Sequence, residues 1–161
     1  MRRIGKHASG FTLIELLIVI ALITVLAGLL FPAFETVLNS AKKTQAKNDL
    51  TQVVTAVTAF YTEYGKYPTT GTTDATATYG PAGSNTNEKL LDVLRNITAD
   101  PLTVTLNPRQ IVFISPPDVK DGSNPKSGIG TTTSPGQYFD PWGTPYNIEI
   151  DWDYNNQIAN P

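Results

Sequence analysis

Apolar and polar positions are sharply segregated at the start of the chain. From Leu16 to Phe34 no charged residue occurs, and only Thr24 and Pro32 interrupt the hydrocarbon. Such a run reaches the length of a membrane-spanning helix, about 18 or more apolar residues. Arg2, Arg3 and Lys6 precede it, and cations on that flank are those retained in the cytoplasm. Lys42, Lys43 and Lys47 lie beyond it, so the orientation signal is favourable but not one-sided. One carboxylate, Glu15, stands at the head of the run. A lone carboxylate in a span costs on the order of 2.5–3.5 kcal/mol at mid-membrane and is a functional candidate by default.

Past Phe34 the pattern becomes amphipathic without a break signal. Ala46, Leu50, Val53, Val54, Val57, Phe60, Tyr61 and Tyr64 recur at helical spacing, while Lys42, Lys43, Lys47, Asp49 and Glu63 fall mainly off that stripe, on a solvated face. Gly65 and Pro68 supply the stop. The pattern predicts one helix from Phe11 to Tyr64, about 54 residues or roughly 80 Å, kinked or locally unwound at Pro32. Next come a Thr/Gly-rich loop over 66–86, a short helix over 87–95 capped by Asn87, a strand over 110–114 ended by Pro116-Pro117, and a loop over 118–136. Residues 137–139 and 144–150 flank the turn Asp140-Pro141-Trp142-Gly143, which predicts an antiparallel hairpin with Tyr146, Ile148 and Ile150 on its buried face. The predicted class is α+β: a long N-terminal membrane-spanning helix packed on a small head with a short helix and an antiparallel β-sheet. The expected segments are 1–10, 11–34, 35–64 and 65–161.

Composition narrows the function. The 161 residues contain no cysteine, one histidine and a formal net charge of −2. A disulfide framework, a thiolate metal site and a cysteine nucleophile are therefore excluded. His7 lies in the basic leader, which leaves most hydrolase and metalloenzyme constellations without a base or ligand. A membrane-anchored enzyme finds no catalytic set here, and nothing in the charge balance points to nucleic acid. Tyr61, Tyr64 and Tyr67 read as packing between helix and head.

In a secretory signal the small residues follow the apolar core, whereas Ala8-Ser9-Gly10 precede it. A cut there would remove the charges and leave the helix attached. The run "GFTLIELLIVIALITVLAGLLFPAF" resembles the class III leader of type IV prepilins and type II secretion pseudopilins. "YTEYGKYP" at 61–68 and "FDPWGTPY" at 139–146 resemble the major, G-type pseudopilin and its close pilin relatives. The resemblance implies a leader over 1–10, removed after Gly10 by a membrane prepilin peptidase that also N-methylates the new terminus, Phe11. Glu15 would be the mature chain's fifth residue and pair with the Phe11 ammonium of a neighbouring subunit. Pro32 falls where the family keeps a helix-loosening proline used in filament packing.

On this resemblance the chain would sit in the bacterial inner membrane as a single-pass protein with its head on the extracytoplasmic side. It would polymerise with itself, on an inner-membrane assembly platform, into a pseudopilus that drives protein secretion, with no nucleic acid partner. The alternative is a type IV pilin serving adhesion, motility or DNA uptake. Type IVa pilins usually close a C-terminal loop with a disulfide, whereas major pseudopilins hold that region with calcium, so the lack of cysteine favours the pseudopilin. Asp151, Asp153 and Asn155 alternate as oxygen donors and are the candidate calcium ligands. The Gly and closing Glu of an EF-hand loop are missing, and so is the family's Gly/Asp-rich tail. The same acids also read as exposed positions continuing a strand. Calcium is the one candidate cofactor, and no catalytic residue is expected.

Overall fold

A computed structural model of the chain describes residues 10–69, 77–81 and 85–151, with the backbone alone at 29–33. The chain divides into two units, 1–41 and 42–161. Helix α1 covers Leu13–Tyr64. Its end is set by Gly65, whose φ of +66° only glycine adopts without strain and whose N–H donates to the Tyr61 carbonyl at 2.8 Å. Through Pro32 the helix is uninterrupted, so the unwound segment expected there is not found. A proline removes one ladder bond, and the turns on either side hold the rest. Among the described residues no helix is long and apolar enough to cross a membrane. The apolar run of the sequence includes positions 29–33, whose side chains lie outside that description.

In the second unit α1 buries a stripe made of Asp49, Val53, Ala56 and Phe60, with Val57 and Tyr64 packed alongside. This corrects the expected face. Leu50 and Val54 point to solvent, and Asp49, expected among solvated charges, is buried. A buried carboxylate needs donors, and the Tyr146 hydroxyl donates to Asp49 Oδ2 at 2.9 Å. Burial, with the Asp49 carboxylate beside them, pushes the Tyr138 and Tyr146 hydroxyls well above the ordinary tyrosine range. The tyrosines near the helix end pack as their spacing implied. Phe60 lies 4.6 Å from Tyr64 and 5.2 Å from Phe113 between ring centroids, and Tyr61 lies 4.9 Å from Tyr67.

Helix α2, Asn87–Arg95, occupies its predicted span, but Asn87 is not its cap. Thr86 holds that position, and the fully buried Asn87 side chain instead clasps the segment after it in space. Its Nδ2 donates to the carbonyls of Tyr138 and Tyr146 at 3.0 and 2.8 Å, and its Oδ1 accepts from the Tyr138 N–H at 3.0 Å. Helix α3, Pro101–Leu106, was not predicted; Asp100 caps it by accepting from the Leu102 N–H at 2.9 Å, and Pro101 opens it. The strand expected over 110–114 does not form. Its Phe113 and Ile114 N–H groups donate to the Leu94 carbonyl at the end of α2, so no ladder partner remains for them.

The strands are short and form two antiparallel pairs: β1 (Ala77–Tyr79) with β4 (Ile148–Ile150), and β2 (Gly128–Ile129) with β3 (Tyr138–Phe139). β1 and β2 thus lie inside stretches expected to be loops. The predicted hairpin closes, but only by a single bridge between Phe139 and Pro145, and its two arms take other partners. Pro145 has no N–H to extend that ladder. The turn itself is as expected, with Asp140 Oδ1 accepting from the N–H groups of Trp142, Gly143 and Thr144, each at 2.8 Å. Tyr146, Ile148 and Ile150 point inward and join Leu90, Leu91, Leu94, Ile129 and Tyr138 in one core.

Asp92 borders a cleft of about 450 Å³ with Glu88, Lys89, Arg95 and Asp100. Burial, aided by the Glu88 charge, pushes its carboxyl up to about 6. A folded-state value above the unfolded one means that the folded chain binds the extra proton. The contribution of Asp92 to stability is therefore fully present at about pH 4 and below and is lost as pH rises through 6. Because the side chain opens on the cleft, solvent reduces the effect to about 1 kcal/mol. Asp92→Asn should flatten the pH dependence and raise stability at pH 7 by that amount. Denaturant unfolding of the full chain in detergent at pH 4.5 and 7.5 checks it; a variant with the parent's slope against pH would exclude Asp92 as the source.

Candidate processing and assembly site

The segment singled out by the sequence begins at Gly10. Gly10 is exposed, and a Cβ added there would meet nothing within 4 Å. The fold therefore makes no demand for glycine at that position. Phe11, Leu13 and Ile14 are 75, 82 and 66% exposed, and the large apolar side chains from Leu16 to Leu26 are likewise uncovered. In the first unit alone they have no core to enter. An apolar surface of this extent marks contact with lipid or with other protein.

Thr12 and Glu15 form a reciprocal cap at the start of α1. The Thr12 N–H and hydroxyl donate to Glu15 Oε2 at 2.8 and 2.6 Å, and the Glu15 N–H donates back to Thr12 Oγ1 at 3.3 Å. This is the S/T-x-x-E capping box, which satisfies helix N–H groups that have no intrahelical partner. A negative charge there also opposes the positive end of the helix dipole. Glu15 is thus not a lone carboxylate. The signal, Thr12 three residues before Glu15, was present in the sequence and was obscured by the apolar residues around it. Thr24, the polar residue within the run, returns its hydroxyl to the Ile20 carbonyl at 2.7 Å and so presents little polarity of its own.

The remaining candidates belong to other segments of the chain. At Pro32 the backbone is helical and the side chain lies outside the described residues. Asp151 follows β4 and is half-buried, while Asp153 and Asn155 fall outside the described residues. Among the described residues no group of three or more His, Cys, Asp or Glu could hold a metal ion. Calcium takes six to eight oxygens, and of the three candidate ligands Asp151 is the one among the described residues.

A family model described as the prokaryotic N-terminal methylation motif matches residues 5–31. The type IV major pilin protein PilA of Myxococcus xanthus is 38% identical over 65 residues, 40% of this chain and 30% of its own. The type IV major alpha-pilin of Moraxella bovis is 43% identical over 60 residues, 37% of each chain. The type II secretion system core protein G of Pseudomonas aeruginosa is 34% identical over 65 residues, 40% of this chain and 46% of its own. The chain thus spans less than half the length of the curated relatives it matches. No solved structure matches it. The long helix with its small α+β head is a pilin-like arrangement, and residues 5–31 match the N-terminal methylation motif.

Proposed function

We propose that the chain is a structural filament subunit, not an enzyme, made as an inner-membrane prepilin, cleaved after Gly10, N-methylated at Phe11 and polymerised into a type IV pilus-like fibre. The observation that carries this reading is the methylation motif running directly into a capped helix whose apolar side chains are uncovered. In the membrane, lipid covers them; in a filament, the same helices of other copies do. The partners are other copies of the chain, a prepilin peptidase and an inner-membrane assembly platform.

The pilus takes precedence over the pseudopilus favoured by the sequence, because several of the similar proteins are type IV major pilins or fimbrial proteins. The pseudopilus, and with it a role in protein secretion, is kept as a second reading. It is supported by the similarity to a type II secretion core protein, the absence of cysteine and the Asp140-Pro141-Trp142-Gly143 turn.

Because nothing surrounds Gly10, replacing it with leucine should leave the fold intact and act only on processing. The variant should accumulate as uncleaved precursor. Mass spectrometry of the membrane fraction reads the outcome, and a methylated Phe11 terminus at parental abundance would overturn the assigned cleavage site.

A further inference from the structure

A second cleft, of about 580 Å³, lies in the second unit and is lined by Lys42 of α1, by Lys120 and Lys126, and by Asp118, Asp121 and Asn124 among others. Its walls are fixed. Asp118 bridges Ile129, the Gly122 carbonyl accepts from the Thr133 N–H and hydroxyl at 3.2 and 2.9 Å, and the Ser127 N–H donates to the Asp140 carbonyl at 2.9 Å. A Cβ on Gly122 would come within 2.4 Å of the Thr132 hydroxyl, so the loop is seated closely on its neighbour.

The charges in the cleft are unevenly engaged. Asp121 turns its Oδ1 into its own loop, accepting from the Ser123 N–H and hydroxyl at 2.9 and 2.6 Å. Those bonds hold its carboxyl below the ordinary range. The ion pairs among the described residues are Lys89 with Asp100 and Arg109 with Glu63. Lys42, Lys120 and Lys126 belong to neither, and all three are exposed. Three lysines thus line one cleft with two carboxylates, a surplus of one positive charge. Lys43 and Lys47 extend the positive charge along the same helix. In the sequence Lys42 comes eight residues after Phe34, where the apolar run ends.

We infer that this cleft is a phosphate site that takes the headgroup of an anionic phospholipid, seating the head on the membrane surface before assembly. The chemistry is that of lysines as compact, mobile point charges on a phosphate. Basic residues next to a span gain most where the leaflet is negative, and the attraction fades within about a Debye length. The inference rests on the membrane reading of residues 11–34, and its test separates the two.

The full chain would be placed in nanodiscs of phosphatidylcholine, or of phosphatidylcholine with phosphatidylglycerol, at no more than one copy per disc, and amide hydrogen exchange followed over 117–127. Exchange should be about fivefold slower in the anionic discs. The difference should vanish in the double variant Lys120→Gln, Lys126→Gln, whose fold is checked by unchanged exchange over α2. Equal exchange in both discs would overturn the site while leaving the membrane reading intact. Failure of the chain to enter discs of either kind would remove both. Equal slowing by inorganic phosphate in neutral discs would reassign the cleft to free phosphate and overturn the lipid. Slowing that appears only with several copies per disc would reassign it to a neighbouring subunit.

Discussion

Asn107→Ala should lower the stability of the chain by about 4 kcal/mol, a large part of the 5–15 kcal/mol that folded domains have. Asn107 ends α3, is fully buried and uses both ends of its amide. Its Nδ2 donates to the carbonyls of Val93 and Ile111 at 3.1 and 2.7 Å. Its Oδ1 accepts from the Ile111 N–H at 3.0 Å and from the Tyr64 hydroxyl at 2.6 Å. One side chain therefore ties α1, α2 and the segment after α3 together. Truncation leaves buried groups on three elements without partners, each at about 1–3 kcal/mol. Tyr64→Phe removes one of those bonds and should cost only about 1 kcal/mol. Denaturant unfolding of the full chain in detergent measures both, and an Asn107→Ala loss no larger than that of Tyr64→Phe would show that the amide does not hold the three elements.

Glu15→Val and Glu15→Gln should both be inserted and cleaved, and both should lower filament yield by about tenfold or more. That is the loss expected from one charge-assisted hydrogen bond of about 1.5–3 kcal/mol. The pair separates two roles of the carboxylate. Glutamine can still complete the capping box with Thr12, whereas valine cannot, so the start of α1 survives in one variant only. If assembly depends on pairing Glu15 with the Phe11 ammonium of another subunit, both variants fail alike. Filament formation at parental yield by Glu15→Gln, in cells without the parent protein, would reduce the role of Glu15 to its cap.

The long helix was legible because its periodicity extends over many turns and Gly65 ends it with a residue suited to positive φ. The Asp140 turn was legible because its three acceptor contacts are local in sequence. β1 was not, since its ladder depends on β4, far along the chain, and a three-residue strand carries no pattern of its own. α3 left only the cap pair Asp100-Pro101 as a trace. Asp49 was misplaced because the apolar stripe was drawn through apolar residue types, whereas a buried polar contact with Tyr146 fixes the true face. At the candidate site the motif singled out Gly10, Phe11 and Glu15, and the intramolecular partner of Glu15 was legible in principle from Thr12. Asn87 and Asn107 could not have been found, because their partners are backbone groups placed only by the tertiary fold.

The contact between Asp49 and Tyr146 spans 97 positions of the chain. On the proposed inner-membrane reading it fixes an order of events during export. In an exported subunit Val53, Ala56 and Phe60 would emerge long before Tyr138, Tyr146 and Ile148, which share their core. Closing a loop of that length costs about 4 kcal/mol plus a constant before any contact compensates it. The head therefore cannot fold as it emerges, and contacts so distant along the chain make its folding slow. A half-exported subunit would present the apolar stripe that the finished one hides.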